Sequence, residues 1–167
     1  MANLKNMMEQ AAHYCAWQGM CGDLAILVDL SRSSHVPRLR VVNPERGELL
    51  FECLAASGRG RSLSTRLWPQ TGDQPDSWLT PVGRCRVGER YEGVFGGAYR
   101  LDGLDDTNRN VRSRAIVLHS SEEVPERNFS LCPLWCSRGC IVVSRGSFAR
   151  LDELLAERRD VLLWMYR

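Results

Sequence analysis

The sequence predicts a mainly β (α+β) domain, a β-sandwich or meander with one helix near each end of the chain. Short apolar runs rich in β-branched residues recur along its 167 residues, and helical patterns do not alternate with them. That arrangement favours antiparallel strands over a parallel α/β sheet. The length suits a single core. The predicted strands are 23–30, 39–42, 48–55, 83–87, 91–95, 98–101, 115–118, 141–143 and 161–166.

The first helix is predicted over residues 3–18, where apolar side chains recur at helical spacing until Gly19. We expect residues 1–22 to form a helix packed on the domain, and residues 23–167 to form the domain itself. The second helix is expected to follow strand 141–143, with Ser147 as its cap and Phe148, Leu151, Leu154 and Leu155 on one face.

Residues 57–78 show no periodicity and are dense in Gly, Ser, Arg and Gln. A loop of this length in a compact domain is often functional. Arg59, Arg61 and Arg66 are therefore candidates to meet carboxylates of a substrate, although a solvated charged loop would have the same composition.

Composition excludes several classes of partner. The net charge is +2, which gives no strong field toward nucleic acid or anionic lipid. No apolar run approaches the roughly 20 residues of a membrane helix, so no membrane span is expected. Residues 1–18 are polar and interrupted, so no signal peptide is expected either. The sequence leaves the oligomeric state open.

Seven cysteines are many for this length, and Cys53 and Cys85 lie in apolar surroundings typical of a core. Cys132, Cys136 and Cys140 are spaced by four, which raises the possibility of zinc with His119 as the fourth ligand. Pro133 and Trp135 interrupt the run, and the spacing favours a disulfide between Cys132 and Cys136 or a reduced structural pair. We expect no metal ion and no cofactor.

The candidate catalytic residues stand at the ends of two predicted strands. His119 ends the run 115–118, and Cys140 opens the run 141–143. A neighbouring imidazole can take the proton of a cysteine thiol and so make it a nucleophile. Gly139 allows a tight turn whose N–H groups, with that of Cys140, could face an oxyanion. Ser137, Ser120 or a backbone carbonyl could orient the imidazole.

These residues resemble a known family. Ser137, Arg138, Gly139 and Cys140, 21 positions after His119, are similar to the Ser/Thr-X-Gly-Cys motif of YkuD-type L,D-transpeptidases. The segments 99–104 and 108–119 resemble the murein L,D-transpeptidase catalytic-domain branch of that superfamily, and the likeness spans roughly residues 24–166. Three positions depart from the usual motif: Ser120 stands in place of Gly, Arg138 in place of His or Trp, and Val142 in place of Arg.

The resemblance implies an L,D-transpeptidase-like β-sandwich and a substrate. Such enzymes attack the bond after the L-centre of diaminopimelate in a peptidoglycan tetrapeptide stem, release D-alanine, and pass the acyl group to an amine or to water. Cys140 would be the nucleophile, with His119, Gly139 and Ser137 assisting. Arg138, Ser120 and Arg59 would contact the stem. The Gly58-Arg59 pair and the turn 80–83 also match the family.

The resemblance places the protein in the periplasm or cell envelope, because murein lies outside the cytoplasm. Without a signal peptide, we expect either a sequence trimmed from a longer one or delivery by another route. Two other classes of function stay open at this point. One is a non-catalytic murein-binding protein, and the other is a redox-sensing or zinc-held interaction protein of the same fold that depends on Cys132 and Cys136.

Overall fold

The computed structural model describes residues 3–61, 70–127, 134 and 137–167. Most of its regular structure is β, with a helix near each end of the chain. In chain order the elements are α1 (Leu4–Gln18), β1 (Ala25–Asp29), β2 (Leu39–Asn43), β3 (Glu48–Cys53), β4 (Gly83–Gly93), β5 (Gly96–Gly103), a short 3-10 helix (Asp106–Asn108), β6 (Val117–Ser120), β7 (Ile141–Val143), α2 (Arg145–Ala156) and β8 (Leu162–Tyr166).

In the described residues these strands form one eight-stranded sheet, in the order β3-β2-β1-β8-β4-β5-β6-β7. Most neighbours are antiparallel, while β1 with β8 and β6 with β7 are parallel. The chain leaving β3 at one edge reaches the other edge, where Ala56 exchanges both main-chain hydrogen bonds with Val142 of β7. The single sheet therefore curls back on itself. The predicted mainly β class with two helices is confirmed.

Strand β1 shows why the sheet needs cover on both faces, since all five of its residues are buried. Ile26 and Val28 point into the main core, whereas Ala25 and Leu27 pack against α1. A strand covered on both sides is a continuous apolar run rather than an alternating one. Helix α1 contributes Met7, Met8, Ala11 and Cys15 to that second cluster.

Helix α1 begins and ends where the sequence predicts. Asn3 caps it by accepting the Lys5 N–H, and Gly19 ends it in the left-handed conformation at φ 65°. The helix packs on the sheet as expected, while the division into residues 1–22 and 23–167 stays a prediction. No helix within the described residues is both long and apolar enough to cross a membrane.

Two local predictions are wrong. The expected strands 83–87 and 91–95 are one strand, β4, because a bulge at Gly88 and Glu89 absorbs the irregularity without ending the strand. The turn that follows consists of Val94 and Phe95, whose side chains are 97% and 66% exposed. Helix α2 is capped by Ser144 rather than Ser147, since the Ser144 side chain accepts the Ser147 N–H.

Replacing Ser144 with alanine should lower the free energy of unfolding by about 1 kcal/mol, because the first turn of α2 loses its side-chain acceptor. Chemical denaturation would measure the change. Ser113→Ala is the matched control, since Ser113 is exposed and outside any helix cap, and it should change stability by less than about 0.5 kcal/mol. Equal losses in the two variants would contradict the assignment of Ser144 as the cap.

Candidate active site

The structure brings His119 and Cys140 to one cavity. His119 lies in β6, and Cys140 immediately precedes β7. The parallel register pairs His119 with Val142, so His119 and Cys140 share one face of the sheet as near diagonal neighbours. Both line a cavity of about 280 Å³. Its other walls include Tyr91, Val94, Phe95, Ala98, Ala115 and Val117.

The imidazole of His119 is held in one orientation. Its Nδ1 lies 2.9 Å from the main-chain oxygen of Ser120. A carbonyl can only accept, so Nδ1 carries the proton and Nε2 is left as an acceptor. Of the three candidates for this role, the structure selects a backbone carbonyl. Phe95 stacks on the ring, with centroids 4.9 Å apart and planes inclined by 17°.

The His119 side chain is buried, and only 6% of the residue is exposed. Burial lowers the pKa of His119 below its ordinary value, and the hydrogen bond to Ser120 raises it by less. The imidazole is therefore neutral at pH 7 and available as a base.

The Cys140 thiol is also protonated at pH 7. Its thiol faces the Ala115 carbonyl, with sulfur and oxygen 3.8 Å apart. Burial raises the pKa of the Cys140 thiol, while the main-chain N–H of Val117, the charge of Arg114 and the N–H of Cys140 itself lower it by less. A neutral thiol and a neutral imidazole thus line one cavity in the resting protein, and the thiol needs a base to become a nucleophile.

The turn before Cys140 has a different role from the one predicted. Gly139 adopts φ 130°, a conformation open to glycine. Its N–H donates to Ser137 Oγ at 3.0 Å, and the Ser137 hydroxyl donates to the Cys140 carbonyl at 2.7 Å. The Gly139 N–H, predicted to face an oxyanion, is therefore engaged by Ser137 in this structure. Ser137 shapes the turn, and the Cys140 N–H, which faces its own sulfur, is the remaining candidate donor.

A buried threonine fastens this turn to the long loop. Thr80 Oγ1 accepts the Gly58 N–H at 2.7 Å and donates to the Gly139 carbonyl at 2.9 Å. Thr80 has no exposed surface. Backbone lies so close to Gly58 that a Cβ there would clash with Thr80 and Trp78 main-chain atoms. Thr80 thus connects the Gly58-Arg59 pair and the turn 80–83, both of which match the family, to the turn that precedes Cys140.

The predicted substrate-binding residues lie around this turn. Arg138 and Arg59 are exposed, and their guanidinium carbons lie 4.6 and 5.2 Å from the centre of the Trp78 ring. Ser120 is half-buried at the end of β6, where its carbonyl serves His119. Arg66, Cys132 and Cys136 lie outside the described residues. Across the described part of the chain, no group of three or more His, Cys, Asp or Glu side chains could hold a metal ion.

Sequence reasoning missed Arg114 and Phe95. The Arg114 side chain is 7% exposed and donates to the carbonyls of Leu79 at 2.7 Å and Gly72 at 3.0 Å, so it holds the loop beside Cys140. It also pairs with Asp73 at 3.3 Å. The available signals were an arginine directly before a buried strand and two large apolar residues between Gly93 and Gly96.

A larger cavity lies elsewhere in the described residues. It has a volume of about 980 Å³ and separates the bulge of β4 from α2, with Arg86, Arg90, Tyr99, Asp152 and Arg159 among its walls. Neither His119 nor Cys140 lines it. Size alone therefore does not identify the candidate site, and the smaller cavity carries the candidate nucleophile and base.

Alkylation of Cys140 by iodoacetamide should follow a pH profile whose midpoint lies above the value of about 8.5 typical of a free cysteine, because burial disfavours the thiolate. Peptide mapping by mass spectrometry would follow Cys140 separately from the other cysteines. Cys21, half-buried in the segment after α1 and not a wall of this cavity, serves as an internal comparison. A midpoint below pH 7 would mean a preformed thiolate–imidazolium pair.

Phe95→Ala should raise the pKa of His119 toward its ordinary value, because the imidazole loses the ring that covers it and its charged form becomes less costly. Nuclear magnetic resonance titration of the His119 ring protons measures this change. Val94→Ala is the matched control in the same turn, since Val94 is almost fully exposed. Identical His119 titrations in both variants would show that the stack does not govern the imidazole.

Solved structures that share this fold include L,D-transpeptidases. One from Mycobacterium smegmatis superposes with a TM-score of 0.52 and 15% identity, covering 87% of this chain and 59% of that one. A Cys-to-Ser mutant of the Enterococcus faecium L,D-transpeptidase superposes with a TM-score of 0.55 and 16% identity, and the match covers 86% of this chain and 50% of that one. A mutant of the helical cell shape determining protein Pgp2 from Campylobacter jejuni superposes with a TM-score of 0.55 and 13% identity, and the match covers 100% of this chain and 57% of that one. At these identities the likeness concerns the fold, and the chain spans between half and three fifths of these proteins.

Comparison with curated protein sequences gave no match. The sequence profile of the L,D-transpeptidase catalytic domain, by contrast, matches residues 2–166. That match spans nearly the whole chain, including β6, β7 and the cavity between His119 and Cys140. The chain therefore belongs to the L,D-transpeptidase catalytic domain family.

Proposed function

We propose that this protein is a cysteine acyltransferase that acts on peptidoglycan tetrapeptide stems through a thioester on Cys140. The observation that carries the proposal is the shared cavity, which His119 and Cys140 line from adjacent parallel strands. Membership of the family supplies the substrate class. The scissile bond would be the one between diaminopimelate and D-alanine.

In the first half-reaction, Nε2 of His119 takes the thiol proton as the Cys140 sulfur attacks the carbonyl carbon of diaminopimelate. A carbon–sulfur bond forms, and the tetrahedral oxyanion faces the Cys140 N–H. The carbon–nitrogen bond then breaks, and the imidazolium returns its proton to the departing amine of D-alanine. The buried, neutral resting pair supports this order of events, since charge develops only when substrate arrives.

In the second half-reaction, an acceptor attacks the thioester and His119 takes its proton. An amine acceptor from a second stem gives a crosslink, and water gives the L,D-carboxypeptidase product. In either case the carbon–sulfur bond breaks and the thiolate recovers a proton from the imidazolium. The apolar walls that Phe95, Ala98 and Val117 supply to the cavity disfavour loose water and so support transfer to an amine.

This function requires contact with peptidoglycan, so we place the protein in the cell envelope, the periplasm where a periplasm exists. Its partners would be stem peptides. The chain's modest net charge and the absence of a long apolar helix from the described residues fit a substrate of this kind better than nucleic acid or lipid.

Incubation with a carbapenem should add the mass of one drug molecule to the protein, and Cys140→Ala should abolish the adduct because the acylated sulfur is gone. A carbapenem is the appropriate probe because an L,D-transpeptidase of similar fold has been solved in complex with imipenem. Intact-protein mass spectrometry provides the measurement. Cys21→Ala is the matched control and should keep the adduct, since Cys21 does not line the cavity.

The same measurement tests the base. His119→Gln should slow acylation by roughly 10²- to 10⁴-fold, the usual contribution of a general base. His13→Gln removes an exposed imidazole on α1 and should leave the rate unchanged. Incubation with a tetrapeptide stem, followed by chromatography of free D-alanine and of any crosslinked dimer, then distinguishes the two acceptors. Absence of both the adduct and D-alanine release would contradict the proposal and favour a binding protein of the same fold.

A further inference from the structure

Three arginines surround one tryptophan beside the candidate active site. The guanidinium carbons of Arg138, Arg59 and Arg61 lie 4.6, 5.2 and 5.5 Å from the centre of the Trp78 ring. All three arginines are exposed, and Trp78 is half-buried. We call these four residues the Trp78 cluster. Cation–π contact with the indole holds planar guanidinium groups in a limited set of orientations.

The cluster holds three arginines around one indole without a carboxylate partner for any of them in the part of the chain that the structure describes. Elsewhere in the described residues many arginines meet a carboxylate, as Arg84 meets Asp105 at 2.6 Å and Arg112 meets Glu89 at 2.7 Å, and others are isolated. Within the described residues, by contrast, no carboxylate lies within ion-pair distance of the cluster's three guanidinium groups; Asp76 lines a cavity with Trp78 and Arg138 but does not pair with them. Like charges held together in this way attract an anion.

The backbone of the cluster is fixed by its neighbours. Gly58 pairs with Ser137 as a parallel bridge, and the Arg59 N–H donates to the Ser137 carbonyl at 3.2 Å, so Arg59 and Arg138 stand side by side on adjacent segments. Trp78 has φ 57°, which large side chains rarely adopt, and its carbonyl accepts the Gly60 N–H at 2.9 Å. The arginines therefore extend from a backbone that is fixed by main-chain hydrogen bonds.

The cluster lies next to the cavity that contains Cys140. Arg138 is two positions before Cys140 in the tight turn at Gly139. Trp78, Arg114 and Arg138 line a cavity of about 490 Å³, and the cavity of Cys140 begins at Ala115, the residue after Arg114. A peptide extended from Cys140 on the Arg114 side would advance about 3.3 Å per residue and would reach the cluster within a few residues.

We propose that the Trp78 cluster binds a free interior carboxylate of the stem peptide while the scissile bond lies at Cys140, a proposal that rests on the function proposed above. The ligand class follows from the donors: an exposed guanidinium beside an indole face pairs with a planar carboxylate through two parallel N–H bonds. The interior carboxylates of a stem peptide stay attached to the acyl group, so the cluster would hold the acyl donor through both half-reactions.

The test measures binding apart from turnover. In the Cys140→Ala background, isothermal titration calorimetry compares a tetrapeptide stem whose interior carboxylates are free with the same peptide amidated at those carboxylates; the D-alanine carboxylate is free in both. Arg138→Gln should weaken binding of the free acid by about threefold to tenfold, and Trp78→Leu should have a similar effect because the guanidinium groups lose their support. Binding of the amidated peptide should be weak and unchanged by either substitution.

Two further variants define the interaction. Arg138→Lys keeps the charge and should restore only part of the affinity, because lysine cannot form the paired N–H bonds. Arg46→Gln removes one exposed arginine from the turn between β2 and β3. This turn precedes β3, whereas the cluster follows it, so the affinity for either peptide should not change. Far-ultraviolet circular dichroism checks that each variant is folded.

Equal binding of the free and amidated peptides, or unchanged affinity in Arg138→Gln, would overturn the proposal. Failure to bind either peptide would overturn it as well. These results are separable from the fate of the proposed function, because carbapenem acylation of the protein with Cys140 intact reports on the nucleophile without any interior carboxylate.

Discussion

The Thr80 hydroxyl is the contact on which the rest of the site depends. It joins the segment at Gly58 to the turn that carries Cys140, by accepting from Gly58 and donating to Gly139. Both bonds are buried, so losing the hydroxyl would leave two main-chain groups unsatisfied at once. Because Gly58 also pairs with Ser137, the same contact aligns Arg59 with Arg138. One side chain thereby sets the position of the nucleophile's turn and of the charged surface next to it.

Burial gives the site a consistent electrostatic character. The imidazole and the thiol both lie in a pocket with apolar walls, and each is biased toward its neutral form. Arg114 works against this bias, because its charge stabilises a thiolate at Cys140. The resting protein thus keeps a poorly reactive cysteine. Reactivity then depends on a base held by the Ser120 carbonyl and the Phe95 ring.

The features predictable from sequence were those encoded over a few neighbouring residues. The α1 boundaries, the hairpin of β2 and β3, and the placement of His119 and Cys140 at strand ends all follow from local periodicity and turn residues. The unpredicted features depend on distant partners. Gly88 is a bulge only because β5 continues beside it, Gly139 loses its donor to a hydroxyl two residues away, and Arg114 is functional through carbonyls more than 30 positions earlier.

The contact between Ala56 and Val142 has a consequence for the edge of the sheet. Strand β7 is three residues long and ends the hydrogen-bonded order of the sheet, which would ordinarily offer its main chain to any extended peptide. Val142 instead has its N–H and carbonyl engaged by Ala56. Another strand therefore cannot pair with Val142 to extend the sheet, and strand-swapped aggregation through this edge is suppressed.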